Sequence, residues 1–378
     1  MPLDTYLNTI NQLTDLIIEQ KKKLSGIMIS RIIAFLVIIL LVSFTIYLGN
    51  LTILFGLFVP FILFGYLVKL NSREKTILSI LEIKKKINED EIDCIKGDYT
   101  SFGNGKEFIN NQHNYSHDID LFGNKSLFQY LNRTTSSSSE EKLADQLLNF
   151  ETDKTEISNR QEATKELATK LAWRQNFRAN GLHFASNEKE IEKLLNWDAQ
   201  EIPGFENKIL WKVLLILVPL SIISSIILAY YSLIPNSLLI FILFIPLGIT
   251  AKYLKLINTQ HKNIGKYLTV LSQHKILTSL IENETFESKK LNSIQSKLKS
   301  NGKSASIEIG KLTKITEQID NRSNPVFAIL MNMLLLWDLN YLIKLKQWLI
   351  KNSEEMKGWF EATYEMETYS SLANFHFN

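Results

Sequence analysis

The apolar residues of this chain are not spread evenly. They gather into four long runs, at residues 27–48, 51–70, 213–234 and 237–256, separated by stretches of ordinary soluble patterning. Each run is about 20 residues long, and at about 1.5 Å per residue each predicts a helix able to cross about 30 Å of hydrocarbon. The fourth carries Lys252 and Lys255 in its last turns, from where long side chains reach the interface. The runs pair into two hairpins, turned at Gly49-Asn50 and at Pro235-Asn236. No small-residue cleavage site follows the first run, which predicts an anchor and not a signal peptide.

Outside the runs the period is helical. Ile77, Ile80, Leu81, Lys84 and Ile87 extend the second run as an amphipathic helix. Residues 89–124 hold Gly97, Gly103, Gly105 and Gly123 among Asn, Asp and aromatic residues, and predict a loop or short strands. Ser138 and Glu141 stand at capping-box spacing before Leu143, Ala144, Leu147 and Leu148. A second helix is predicted from about Thr155 to Gly181, and a third from Asn187, with Ile191, Leu194 and Leu195 on one face. Beyond the second hairpin, Ile264, Leu268 and Leu271 form one stripe and Leu312, Ile315 and Ile319 another, broken at Asn301-Gly302. Pro325 opens a helix with Val326, Leu330, Leu334 and Trp337 on its face. That apolar run is too short to cross a bilayer, so it is expected to be a buried core helix.

Composition sharpens this picture. The 378 residues are 46% hydrophobic and 21% charged, which excludes a disordered chain. A single cysteine, Cys94, excludes a disulfide framework. Forty-two basic against 39 acidic residues give a net charge of +3, which does not by itself indicate nucleic-acid binding. The placement of the basic residues says more. Lys21, Lys22, Lys23 and Arg31 precede the first hairpin and Lys69, Arg73 and Lys75 follow it, while Lys208, Lys212, Lys252, Lys255 and Lys262 flank the second. The positive-inside tendency then predicts an inner-membrane protein with both termini cytoplasmic. The spans contain no Asp, Glu or His, which argues against a transporter or channel.

The expected fold is therefore mainly α: four transmembrane helices in two hairpins and a helical cytoplasmic body. Its predicted parts are an N-terminal segment (1–26), hairpin one (27–70), a connector (71–125), a first helical part (126–208), hairpin two (209–257) and a second helical part (258–378).

Candidate chemistry is sparse. Asn301-Gly302-Lys303-Ser304 resembles the end of a phosphate loop, but Lys297 occupies the place of the motif's first glycine, so a helix–helix turn is expected. Gly103-Asn104-Gly105-Lys106 fails because Glu107 replaces the hydroxyl residue. His113 and His117 have metal-ligand spacing but lie among loop formers with no cysteine nearby. His261 and His274 fit a solvated helix face. A basic region runs through Lys289, Lys290, Lys297, Lys299 and Lys303 and on to Lys311 and Lys314. It is a candidate for contact with phosphate backbones or lipid headgroups, set against the blander reading of a solvated face diluted by Glu282, Glu284, Glu287 and Glu308. No catalytic or metal residue is assigned.

Two stretches carry a family resemblance. The segment Ser126-Leu127-Phe128-Gln129-Tyr130-Leu131-Asn132-Arg133-Thr134, followed by Glu141-Lys142-Leu143-Ala144, resembles the start of the core or lever domain of the MutS mismatch-repair family. Ile157, Arg160, Gln161, Glu162 and Ala163 match its next element, with Thr164 where the family has valine. The segment Trp359-Phe360-Glu361-Ala362, Glu365-Met366-Glu367 and Ser370 to Phe375 is similar to the lead into that family's ATPase domain. The resemblance implies a membrane-anchored core and lever, homodimeric, acting on DNA with an ATPase domain or subunit outside this chain. ATP and Mg²⁺ would belong to that domain, and this chain is expected to hold no cofactor. Asn378 falls where the ATPase would begin, and the F-x-E of the family's mismatch-reading domain is absent. The alternative expectation is a helical membrane scaffold that docks a cytosolic protein and never meets nucleic acid.

Overall fold

The first apolar run continues a helix that begins far upstream, because nothing in Lys21-Lys22-Lys23-Leu24 breaks one. A computed structural model describes residues 1–49, 56–184, 188–299 and 302–378 of the chain. Its helices are, in order, α1 (Pro2–Leu48), α2 (Phe58–Ile95), α3 (Leu127–Leu131), α4 (Ser137–Leu148), α5 (Lys154–Thr169), α6 (Leu171–His183) and α7 (Glu188–Leu195). There follow α8 (Lys208–Tyr230), α9 (Asn236–Lys252), α10 (Leu254–Glu282), α11 (Lys289–Leu298), α12 (Ala305–Asp320), α13 (Pro325–Leu335) and α14 (Trp337–Phe377). Among the described residues there is no strand, so the mainly α expectation holds.

Two of these helices, α1 and residues 209–230 of α8, are long and apolar enough to cross a membrane, and two bent pairs raise the number to as many as four. The bent pairs are α9 with α10, at 67°, and α13 with α14, at 82°. The fourth sequence run therefore ends at a break at Tyr253, between Lys252 and Lys255. Residues 51–55 of the second run, and Asn50 of its turn, lie outside the described residues.

The chain forms two compact units. The first contains residues 1–133, 168–183 and 374–378. Here α1 packs along α2, and Gly49 ends α1 in the left-handed conformation that favours glycine (φ 62°). Below the apolar runs, Lys23 and Gln20 reach the buried Glu74 at 2.9 and 2.6 Å, and Lys21 meets Glu82 at 3.0 Å. α2 runs on to Ile95, further than its amphipathic stripe implied, and α6 packs against it. Residues 98–126 form turns around an aromatic knot of Phe108, Phe122 and Phe128. Gly105 lies at φ +62° against this knot, and a Cβ there would sit 2.7 Å from the Phe128 ring.

The second unit contains residues 134–167 and 184–373. α8 and α9 form its apolar hairpin, and α10 lies along α12. Phe205, Trp211 and Tyr253 pack ring to ring at the hairpin's base, with centroids 4.8 to 5.6 Å apart. Aromatic clusters of this kind sit at membrane–water boundaries. α7 is joined to α10 by the Trp197 indole, which donates to Gln260 at 3.1 Å.

Several local expectations are corrected. The cap of α4 is Ser136, whose hydroxyl accepts from the Ser139 amide at 3.3 Å, so the Ser138–Glu141 box does not form. The helix foreseen from Thr155 to Gly181 breaks at Lys170 into α5 and α6, and Gly181 lies inside α6. Asn187, foreseen as the start of α7, lies outside the described residues. The largest correction is α13. It is not a buried core helix: Val326 is 66% exposed, Ile329 54% and Leu330 49%. Of this helix Ala328 and Asn332 are buried, and it packs against α9 and α8.

A lysine-lined cleft and two buried polar clusters

The foreseen basic region is largely neutralised in the structure. Lys290 Nζ lies 2.7 Å from Glu156 and 3.7 Å from Glu365, and Lys297 reaches Glu365 at 2.6 Å. Lys303 pairs with Glu355 at 3.5 Å. Only Lys289 and Lys299 of that set are exposed without an ion pair among the described residues. The phosphate-loop resemblance dissolves in the same way. The Ser304 hydroxyl donates to Glu282 at 2.8 Å and caps α12, and Gly302 simply turns the chain at φ +71°. Asn301 lies outside the described residues.

Other lysines gather elsewhere in the second unit. α12 and α14 flank an open cleft of about 690 Å³ lined by Lys311, Lys314, Lys344 and Lys351, with Trp348 and Asn352 at its floor. Lys311 and Lys314 also border a neighbouring hollow of about 510 Å³ shared with Lys275 of α10. Lys311 pairs with Glu308 at 2.8 Å, and Glu317 is the other carboxylate on the wall. Lys275, Lys314, Lys344 and Lys351 make no ion pair among the described residues, and Lys344 lies over the Tyr341 ring at 4.6 Å. The Trp348 indole donates to the Glu308 carbonyl at 3.1 Å and fixes the floor. Sequence reading found Lys311 and Lys314 but missed Lys344 and Lys351. Their i, i+7 spacing places them on one face of α14, but only the fold puts that face beside α12.

Each unit also buries a polar cluster. In the first, Glu91 is 1% exposed and accepts from Arg133 Nε at 2.6 Å and its terminal nitrogen at 3.0 Å. Arg178 at 3.3 Å, Asn374 at 2.9 Å and Asn378 at 3.3 Å complete its partners. Burial alone would raise the Glu91 carboxyl; the Arg133 guanidinium, helped by Arg178 and Asn374, more than offsets it and holds the group below its usual range. Arg133 lies over the Phe102 ring at 3.4 Å and touches the Cys94 sulfur at 3.2 Å. Burial raises that thiol, as expected of an inert structural cysteine.

In the second unit, Glu367 accepts from the Thr135 amide at 2.8 Å and the Thr135 hydroxyl at 3.0 Å. Nearby on α10, His274 does not lie on a solvated face. It is 2% exposed, stacked on Phe360 at 3.6 Å, with Nδ1 at 3.2 Å from the Thr363 hydroxyl. His261 is partly exposed beside Asp320 at 3.7 Å. No group of three or more His, Cys, Asp or Glu able to hold a metal exists among the described residues, and Nδ1 of His113 accepts from the Ser116 amide at 3.3 Å.

No protein-family model, curated protein or solved structure matches this chain. The functional reading therefore rests on the geometry above and on the sequence resemblance.

Proposed function

We propose that this chain is a membrane-anchored core-and-lever module of MutS type. It works with an ATPase domain or subunit outside these residues and takes the phosphate backbone of duplex DNA on the lysine-lined cleft. The observation that carries the reading is that the two resembling stretches meet inside both units. In the second unit Lys142 of the first stretch pairs with Glu361 of the second, and Thr135, which lies next to the first stretch and outside it, is bonded to Glu367. In the first unit Arg133 and Asn374 share Glu91, and the Tyr130 and Phe375 rings lie 5.9 Å apart.

A scaffold for a cytosolic protein is the second reading. It is favoured by the glutamates that tie down Lys290, Lys297 and Lys303, since paired lysines are poor phosphate ligands.

The chain in nanodiscs of uncharged lipid, titrated with a short fluorescent duplex, decides between them. With four phosphates neutralised, affinity is expected to fall about a hundredfold between about 50 and 200 mM salt. Changing Lys344→Glu and Lys351→Glu together should reduce the slope of log affinity against log salt by about two. Absence of binding at the low-salt end overturns the DNA reading and leaves the scaffold. ATP turnover by the chain alone is not expected.

A further inference from the structure

We infer that α13 is a lipid-embedded helix that does not cross the bilayer. It seats its outer face in the leaflet next to the helical body of the second unit. From Ser323 to Trp337 there is no charged residue. The helix has 11 residues, about 16 Å, roughly half the hydrocarbon thickness. Its outward side chains Val326, Ile329 and Leu330 form an exposed apolar face that no described residue of the second unit covers. The hairpin that α13 packs on is itself apolar and exposed, with Ile216 of α8 at 64% and Phe241 of α9 at 67%. Exposed apolar side chains on three helices packed together are costly in water and need no partner in lipid.

The ends of α13 fit the same placement. Arg322, just before the helix, pairs with Asp338, just after it, and also donates to Asn258 at 3.1 Å, six residues beyond the last residue of α9. The residues that flank the helix on both sides are therefore tied to each other and to the chain just after α9, which fits a helix lying along the boundary of the bilayer and not one crossing it. Leu336 sits in the left-handed region (φ 49°), and the Asn332 amide oxygen accepts from the Asp338 backbone at 2.9 Å, which starts α14 at 82° to α13. Asn332 spends its remaining donors on Ala328 and Asp338, so the only polar side chain inside the helix is satisfied without water.

Site-directed spin labelling in nanodiscs tests this. In a Cys94→Ser background, a nitroxide is placed singly at Val326→Cys, Ile329→Cys and Leu330→Cys, with Phe241→Cys as the bilayer reference and Ile307→Cys, an exposed apolar position on α12, as the aqueous one. Collisions with oxygen should exceed those with a nickel chelate at all three α13 sites, as at Phe241, but with a shallower depth. Nickel accessibility equal to that at Ile307 overturns the proposal. So does shielding from both reagents, which would mean protein covers the face. An aqueous signal at Phe241 itself would sink the reading of the hairpin as a membrane element, a separate failure.

Discussion

Replacing Glu91 by glutamine is expected to remove about 3–5 kcal/mol from the stability of the first unit. The substitution keeps shape but deletes the carboxylate that Arg133 and Arg178 share. Arg174, also buried, donates to the same Asn374 that Glu91 holds. Burial pulls Arg174 and Arg178 down to about 10, so both remain charged at neutral pH and depend on that carboxylate. Without it, Arg133 and Arg178 lose the buried carboxylate they share, and the cost is that of a buried ion pair broken on one side. Hydrogen exchange in the last turns of α2 and in α6 reads the effect locally. Amides there should exchange about 10²- to 10⁴-fold faster in the variant, while α10 and α12 stay unchanged. Arg133→Met made in the Glu91→Gln protein should cost less than in the parent, since the pair is already broken. Exchange within a factor of a few of the parent would refute a stabilising role for this cluster.

How much of this was legible beforehand follows from what a period can and cannot encode. Hydrophobic spacing gave the helices and the second hairpin, because those depend on neighbours within a few residues. It misplaced ends. α1 reaches back to Pro2 because basic residues are good helix formers, and charge marks a membrane boundary without marking a helix boundary. Gly181 looked like a terminator, yet a glycine is tolerated in a helix that packs on another. The failures at α13, His274 and the lysines share one cause. Burial and pairing are set by partners distant in sequence: Phe360 for His274, Glu156 and Glu365 for Lys290. An apolar run of α13's length reads identically whether its outer face meets core or lipid.

The stability of the second unit is expected to stay nearly flat between pH 7 and pH 5 while hiding two opposed proton linkages. Burial pushes His274 down to about 3, so the folded state keeps it neutral while an unfolded chain protonates it near 6.5. The unfolded state then binds the extra proton, and stability falls as pH drops below about 6.5, by about 2 kcal/mol at pH 5. Glu367 acts in the other direction. Burial raises its carboxyl to about 7, against the donors from Thr135, Ser139 and Ser136, which favour the ionised form. The folded state now binds the extra proton, so stability is gained as pH falls from 7 towards the unfolded value near 4.5, by about 3 kcal/mol. Each variant exposes the other linkage. His274→Gln should melt higher at pH 5 than at pH 7, and Glu367→Gln should melt lower at pH 5 than at pH 7. Thermal unfolding of the detergent-solubilised protein at the two pH values measures both shifts. Because surface carboxylates titrate alike in the two proteins, the difference between them isolates the buried pair. Shifts of the same sign in both variants would mean that at least one of the two residues is not held in the protonation state its surroundings impose. Below about pH 4.5 the Glu367 gain is exhausted while the His274 loss continues, so the parent should then destabilise steeply.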